Sequence, residues 1–598
     1  MEIERIEAVL ANAHLELIPI RALLPTREPY NVMLLQPQGA IEANEERIGH
    51  ADKAFGHDKC LAFLLLAASK HADLVVTPEY CLPWSVAEKT LEGSIHPDEG
   101  AIWVLGCESI TPAELAAFRL KVIATSAYFY HEPIDEIQKA KKRYIDPLLY
   151  VFWSINSEGN KVLAFVVQFK TAPCKDSLDV EQRSLYLGKK VYSFNREINK
   201  IGLLAIICSD AFEFTNDLID DYHANCLLIH IQLNPEPAHG DYAAYRAHLY
   251  AAGSNSNVEL LCLNWAKDIV EVTSDGNKKL WNNVAGSAWY VPASKFSGDD
   301  QLINEAHHRG IYYSIVSQRW HTFYLNYEPQ ALLLQKQKLL LFAESQALCP
   351  KSCLSGMERW CWDISGKWIE KSSPDDGLAS LLATYPALLP HLPDQVKVSA
   401  IGVERALELL MGPTGKATTW FNLQELPSMK VEIEESICRV TVHQEDDMRR
   451  KGVLFRRARL QRAQDAMTLA GSKIVPWPKS IRDLENGFTF FWTASLPHYN
   501  VAISGDLKRP ASLAYLADQS DDTVVDGVYT KLLQAISVHA ISSAFEANKD
   551  PTDAAVRAKD RLCVVFRRDH AYRVWKSNDN NQFNRPPDHS AVDIAGEP

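Results

Sequence analysis

The segment Gly202-Leu203-Leu204-Ala205-Ile206-Ile207 contains no polar side chain. A run this short cannot cross a membrane, and without alternating polar residues it cannot sit half-exposed at a surface. It fits a central strand covered on both faces, as in parallel sheets with helices packed over them. Neighbouring segments agree. Asn31–Leu35, Asp73–Thr77 (ended by Pro78), Lys121–Ala124, Cys226–Ile229 and Leu260–Leu263 read as further strands, and Lys59–Lys70 as a helix with little polar surface. Tyr150–Trp153 and Val162–Val167 read as a hairpin around Ser157-Glu158-Gly159-Asn160. Strands alternating with helices place this half in the α/β class.

The chain has 598 residues, too many for one hydrophobic core. Its formal charge of −13 is unevenly spread: 29 basic and 42 acidic residues precede position 331, and 33 of each follow. The halves therefore read as separate units, 1–330 and 331–576, with 577–598 as a polar, disordered tail. An acidic first half argues against a nucleic-acid surface there. The N-terminus lacks the basic and apolar regions of a signal peptide, and no apolar run is long enough for a membrane span. A cytoplasmic protein without membrane contact is expected, its twelve scattered cysteines read as free thiols.

Three apolar strands end on reactive groups: Val75-Val76-Thr77-Pro78-Glu79-Tyr80 on a carboxylate, Val167-Gln168-Phe169-Lys170 on an amine, and Ile206-Ile207-Cys208-Ser209-Asp210 on a thiol. Each alone is ordinary, since strand ends often carry turn, solvated or small core residues. Together, at the strand ends where α/β folds gather their chemistry, they form a consistent set. A thiol needs a base to become a good nucleophile near neutral pH. Glu79, desolvated at a strand end, would take its proton. Lys170 would lower the thiol pKa and face the oxyanion, with the Ser209 N–H as a second donor.

In that order the segments resemble the three signature motifs of the nitrilase superfamily of carbon–nitrogen hydrolases, over roughly residues 28 to 328. The resemblance implies a four-layer αββα sandwich, here followed by a separate α+β domain. It also implies a Glu–Lys–Cys triad working through a thioester without a cofactor or metal. By residue match Glu79 is the base, Lys170 the oxyanion-stabilising amine and Cys208 the nucleophile. A second glutamate often positions the lysine; Glu181 is the nearest match, with Asp176 and Asp179 as competitors. Asn264-Trp265 resembles the family's strand-end asparagine, and Gly286-Ser287-Ala288 its Gly-x-Ser turn. Tyr80, Trp84, Ser209, Asn264 and Trp265 are the candidate substrate contacts. The departures are a Glu79–Lys170 spacing of 91 residues, an insertion over Glu132–Pro147 and Ser209 where an aromatic is common. A small-molecule amide, rather than a nitrile, is the expected substrate, and the resemblance implies a homo-oligomer.

Competing readings concern other residues. His230, His239 or His248 would serve a Cys–His hydrolase, which leaves Glu79 and Lys170 unexplained. In the second half, Val403–Met411, Arg449–Ala470 and Tyr529–Ala547 read as helices. Glu328–Leu348 has helical periodicity, Val431–Val442 alternates as a strand, and Arg561–Arg568 with Ala571–Lys576 forms a closing hairpin. Arg449-Arg450-Lys451, Arg456, Arg457 and Arg459, with Arg567, Arg568 and Arg573, would suit a nucleic-acid or protein partner, though a solvated helix face explains them as well. Cys349, Cys353 and Cys361 lack standard zinc spacing. A nitrilase-like effector or scaffold in bacterial antiviral defence is the alternative to a metabolic amidase.

Overall fold

A computed structural model of the chain describes residues 1–371 apart from 27, 94, 175–178, 196–199, 215–224, 238–239, 252–257, 274–275, 282–285, 293–310, 316–319, 327 and 340–352, and then 383, 386, 465, 469 and most of 475–575. It is a mixed α/β protein with several sheets, divided into two compact units. The first comprises Met1–Ser297 and Arg319–Ser372, the second Gly298–Gln318 and Ser373–Pro598.

In the first unit the apolar segment Gly202–Ile207 is an inner strand, parallel to Cys226–Ile231, which is parallel in turn to Val258–Leu263. Lys190–Phe194 and Glu2–Arg5 extend this sheet on one side, Ala288–Pro292 and Trp320–Leu325 on the other. A second sheet runs Trp368–Glu370, Leu354–Trp362, Gln330–Lys336, Tyr30–Gln36, Leu74–Leu82, Ile102–Cys107, Pro147–Asn156, Lys161–Phe169, Tyr128–His131. Its members Tyr30–Gln36, Leu74–Leu82 and Ile102–Cys107 are parallel, so their C-terminal ends meet at one edge. Pro147–Asn156 and Lys161–Phe169 are the expected hairpin, which returns Lys170 to that edge.

Phe165, Val167 and Phe169 face a core built with Phe63, Leu64 and Ala67 of helix Lys53–Ser69 and Leu115, Phe118 and Val122 of helix Pro112–Ala124. Each fully buried large apolar side chain stabilises the fold by ~1.5–3 kcal/mol relative to exposure. Gln168, out of phase with that face, donates to Ala205 O at 3.0 Å in the other sheet and accepts from Tyr150 and Tyr192 N, each at 3.0 Å.

Several expectations are corrected. Lys121–Ala124 is the last turn of helix Pro112–Ala124, not a strand. Thr111 and Glu114 form a capping box with Pro112 at the first helical position, a start signal upstream of the apolar run. Pro78 does not end its strand, which continues to Leu82 through an irregularity. Within Glu328–Leu348, Gln330–Lys336 is a strand rather than helix, antiparallel to both Tyr30–Gln36 and Leu354–Trp362. The three successive leucines Leu332, Leu333 and Leu334 fit a strand buried on both faces better than a helix with one apolar stripe. Residues beyond 330, the expected boundary, thus belong to the first unit, which reaches Ser372.

In the second unit, Phe488–Phe490, Val501–Ile503, Asp506–Asp518, Leu562–Arg568 and Ala571–Val574 form one sheet. The parallel pair Asp506–Asp518 and Leu562–Arg568 is joined through helices Asp522–Glu546 and Pro551–Lys559. The last two strands are the expected hairpin. Val403–Met411, Val431–Val442, nearly all of Arg449–Ala470 and the 577–598 tail lie outside the described residues. No helix among the described residues is long and apolar enough to cross a membrane.

Candidate active site

Glu79 is presented by a break in strand register. Thr77 pairs with Leu105, but the next pairing is Leu82 with Cys107, so residues 78–81 bulge opposite Gly106. A Cβ at Gly106 would stand 2.1 Å from Pro78 O and 2.9 Å from Glu79 N, so the bulge requires glycine there. Tyr80, next to Glu79, has φ 54° in the left-handed region, a conformation that costs ~1–3 kcal/mol unless its surroundings hold it.

The Lys170 ammonium is fully buried among carboxylates. It donates to Glu79 Oε1 at 2.6 Å and Glu181 Oε1 at 2.8 Å, and Asp146 Oδ2 lies 3.4 Å away. Glu79 Oε2 accepts from Leu233 N–H at 2.5 Å. Glu181 also accepts from Tyr80 OH at 2.9 Å and Cys174 N–H at 2.6 Å. Burial opposes the lysine charge, but Glu181, Glu79, Cys208 and Asp146 together hold it well above the ordinary lysine range. Burial raises the Glu79 carboxyl, against the lowering effect of Lys170.

Cys208 follows the apolar strand and opens a tight helical turn, Cys208–Phe212, with φ 41° at the cysteine. Asp210 explains the third member of that turn. Its Oδ1 accepts from Thr171 N at 2.7 Å, Thr171 Oγ1 at 2.9 Å and Ala172 N at 3.1 Å, and its Oδ2 from Ile207 N at 3.0 Å. Ser209 Oγ adds a bond to Ala172 O at 2.6 Å. The residues after Lys170 are thereby tied to the turn that carries Cys208. Burial pushes Asp210 up to about 6, against the lowering effect of those donors.

The Cys208 thiol is 1% exposed and lies 3.3 Å from Tyr242 OH. A hydrogen bond with the Cys174 thiol, then burial and the Glu79 charge, hold it well above the ordinary thiol range, while Lys170 pulls the other way. The expected net lowering by Lys170 does not occur at rest: the thiol keeps its proton until a base takes it. His230, in the rival reading, instead donates from Nε2 to the backbone carbonyl of the cysteine, 2.8 Å from Cys208 O. Burial pushes it down to about 3, so it is a neutral structural group. His239 and the His248 side chain lie outside the described residues.

The structure thus gathers Glu79, Lys170, Glu181 and Tyr80 directly, with Cys208 in electrostatic contact with Glu79 and Lys170. Trp265 supports them from behind, its indole N–H donating to Glu79 O at 2.8 Å and its ring packed on His50. Trp84 donates to Glu108 O at 2.9 Å and packs on Phe118. Asn264 accepts from the Asn234 and Trp265 N–H groups and donates to Asn234 O. Asp179 stands beside the site as the residue preceding helix Val180–Ser184, while Asp176 lies outside the described residues. Asp146, Cys174 and Tyr242 were not foreseen. Only Asp146 had a usable signal, the hairpin register that sets it opposite Lys170.

Two groups of described side chains stand close enough to share a cation: His50, Cys60 and Cys81, and Glu79, Asp146 and Glu181. The second already surrounds the Lys170 ammonium. In the first, His50 Nε2 and Cys60 Sγ both meet Cys81 O, at 2.9 and 3.5 Å. Of the second-half arginines, Arg568 pairs with Asp522 and Arg573 with Asp569. Cys353 is buried and Cys361 half-buried, whereas Cys349 and the basic run at 449–459 lie outside the described residues.

No protein-family model matches the sequence, and no curated protein matches it. Solved structures do. A glutamine-dependent NAD+ synthetase from Acinetobacter baumannii shares 11% identity over 63% of this chain, with a TM-score of 0.29. A carbon–nitrogen hydrolase superfamily protein from Xanthomonas campestris shares 12% over 61% of this chain and 97% of its own, with a TM-score of 0.27. The structural neighbours are carbon–nitrogen hydrolase and nitrilase superfamily proteins. An amidase of the nitrilase superfamily from Nesterenkonia AN1 shares 10% over 44% of this chain and 84% of its own, with a TM-score of 0.24. The match spans 53% of the NAD+ synthetase's length. Likenesses this distant carry no chemistry across, so the chemistry of this site rests on its own residues.

Proposed function

We propose that the chain hydrolyses a non-peptide carbon–nitrogen bond, of the amide type, through a thioester on Cys208, on a four-layer αββα scaffold in the first unit. The observation that carries the reading is one buried ammonium, Lys170, clasped by Glu79 and Glu181 beside a buried thiol at a strained strand end. Glu79, raised by burial, takes the thiol proton as sulfur attacks the carbonyl carbon. Lys170 and the Ser209 N–H face the oxyanion; each such preorganised donor is worth ~3 kcal/mol in the transition state. Protonated Glu79 then gives its proton to the leaving amine, a step an amide needs, and next activates water to cleave the thioester. Glu181, fixed by Tyr80 and Cys174 N–H, orients Lys170.

The test is intact-mass analysis of the full chain with a panel of amides and nitriles. A substrate-sized acyl adduct on Cys208, absent in Cys208→Ala and lost in Glu79→Gln, which has no base for the buried thiol, is the expected result. Adducts that persist in Cys208→Ala, or turnover unaffected by that substitution, overturn the reading.

A further inference from the structure

We propose that Asp146 is a neutral carboxylic acid that donates its proton in a hydrogen bond to Glu79, making it a positioning residue that keeps the base ionised. The case rests on counting donors. Three buried carboxyls, Glu79, Asp146 and Glu181, surround a single ammonium, so three ionised groups would leave two uncompensated charges in a dry site. Such charge neutralises by taking up a proton rather than persisting. The hydrogen bonds identify which group takes it. Both oxygens of Glu79 accept, from Lys170 and from Leu233 N–H. Both oxygens of Glu181 accept, from Lys170, Tyr80 OH and Cys174 N–H. These donors need lone pairs and favour ionised carboxylates. Neither Asp146 oxygen receives such a bond among the described residues, although the side chain is 1% exposed.

A carboxyl with no N–H or O–H donor, next to a saturated carboxylate, is the one that holds a proton. One of its oxygens lies within 4.8 Å of a carboxyl oxygen of Glu79 and one of Glu181. Burial first, and then the Glu79 charge, raises Asp146 well above the ordinary carboxylate range. Among the described residues, Glu79, Tyr80, Lys170, Glu181 and Cys107 are titratable groups that interact with it. Those that bear on its proton are the Glu79 and Glu181 charges, which favour keeping it, and Lys170, which opposes.

The placement follows from the chain. Pro147 pairs with Phe169 across the hairpin, so the next position outward sets Asp146 against Lys170, and Lys170 N–H donates to Asp146 O at 3.0 Å. Asp146 belongs to Glu132–Pro147, the stretch that departs from the family pattern. With Asp146 neutral, the third N–H of the Lys170 ammonium is not drawn to a second negative oxygen at 3.4 Å and stays free for the developing oxyanion.

The experiment is infrared difference spectroscopy on the full chain at about pH 8, above the Asp210 value of about 6. A neutral-acid carbonyl band is expected in the wild type and in Cys208→Ser, and its loss in Asp146→Asn. No band, or one that survives Asp146→Asn, overturns the proposal. This arm is independent of Cys208 reactivity, so a failure of the hydrolase reading, on which the base-positioning role rests, is seen separately as a wild-type thiol that no acylating probe modifies. The second arm is the pH profile of Cys208 alkylation by iodoacetamide. Asp146→Asn, which keeps a donor and adds no charge, is expected to stay within about three-fold of wild type near neutrality. A gain of about ten-fold or more, as when an ionised neighbour is removed from a buried thiol, overturns it.

Discussion

His230 shows how one buried side chain supports the nucleophile without touching its sulfur. Its ring binds Cys208 O, helping hold the backbone at a positive φ. The cost appears in acid. In the folded chain His230 stays neutral down to about 3, whereas the unfolded chain takes up its proton near the ordinary 6.5. Its stabilisation is therefore present above about pH 6.5 and is lost as pH falls toward 3. Asp210 has the opposite sign: raised from 3.8 to about 6, it stabilises most below its unfolded value, and that contribution is lost as pH rises through 6. The two partly cancel, so the informative quantity is a difference between variants. Between about pH 7.5 and pH 5 the wild type is expected to lose ~2 kcal/mol more than His230→Gln, read from urea midpoints. Equal losses would show that His230 titrates normally. At this scale Glu79, Lys170 and Cys208 were legible because each ends an apolar run. Tyr242 was not, because it sits in the first turn of helix Gly240–Ala251 and nothing local marks it as facing a thiol.

Two elements convert those residues into a site. The bulge at residues 78–81 aims Glu79, and it exists because Gly106 across the ladder has no side chain. Gly106→Ala puts a methyl group into the Pro78 carbonyl and is expected to destabilise the chain by ~1–3 kcal/mol or more, while also displacing Glu79. A lower urea midpoint together with slower Cys208 acylation is the expected pair of results; a variant of wild-type stability and reactivity would show that the bulge has room. The second element is the turn at Cys208. Asp210→Ala strips acceptors from three backbone N–H groups and one hydroxyl, each unsatisfied buried donor costing ~1–3 kcal/mol. That variant is expected to lose global stability, measured by denaturant unfolding, whereas Ser209→Ala removes a single bond and loses less. The sequence showed a Cys-x-Asp pattern but not its reason, since the four donors come from two segments more than thirty residues apart. Helix Pro112–Ala124 shows a simpler limit: a four-residue apolar window does not distinguish helix from strand, and the cap that decides lies outside it.

Across the whole molecule, the first unit is closed by strands that the composition change near 330 suggested cutting away. Lys336 pairs with Glu259 at 2.7 Å, both almost fully buried, and Trp289 donates to the same carboxylate at 2.9 Å. A chain ending at Ser372 is expected to unfold cooperatively. One ending at 329 leaves Tyr30–Gln36 as an open edge and Glu259 without its lysine, a loss of ~3–5 kcal/mol for the broken pair alone. Equal urea midpoints for the two would place the boundary at 330 after all.

Sequence alone determined the α/β class, the strand-end positions of Lys170 and Cys208, and the hairpin that carries Lys170, because apolar runs and turns are local signals; Glu79 it placed at a strand end, whereas the strand runs on to Leu82. Tertiary structure decided that Gln330–Lys336 joins the first unit and that His230 serves a carbonyl rather than a thiol. It also decided that Asp146 completes a group of three carboxyls around one lysine. Those outcomes depend on which segments pair and at what register. A strand's partner is set by burial and hydrogen bonding over the whole sheet, and a carboxyl's charge by every donor that reaches it.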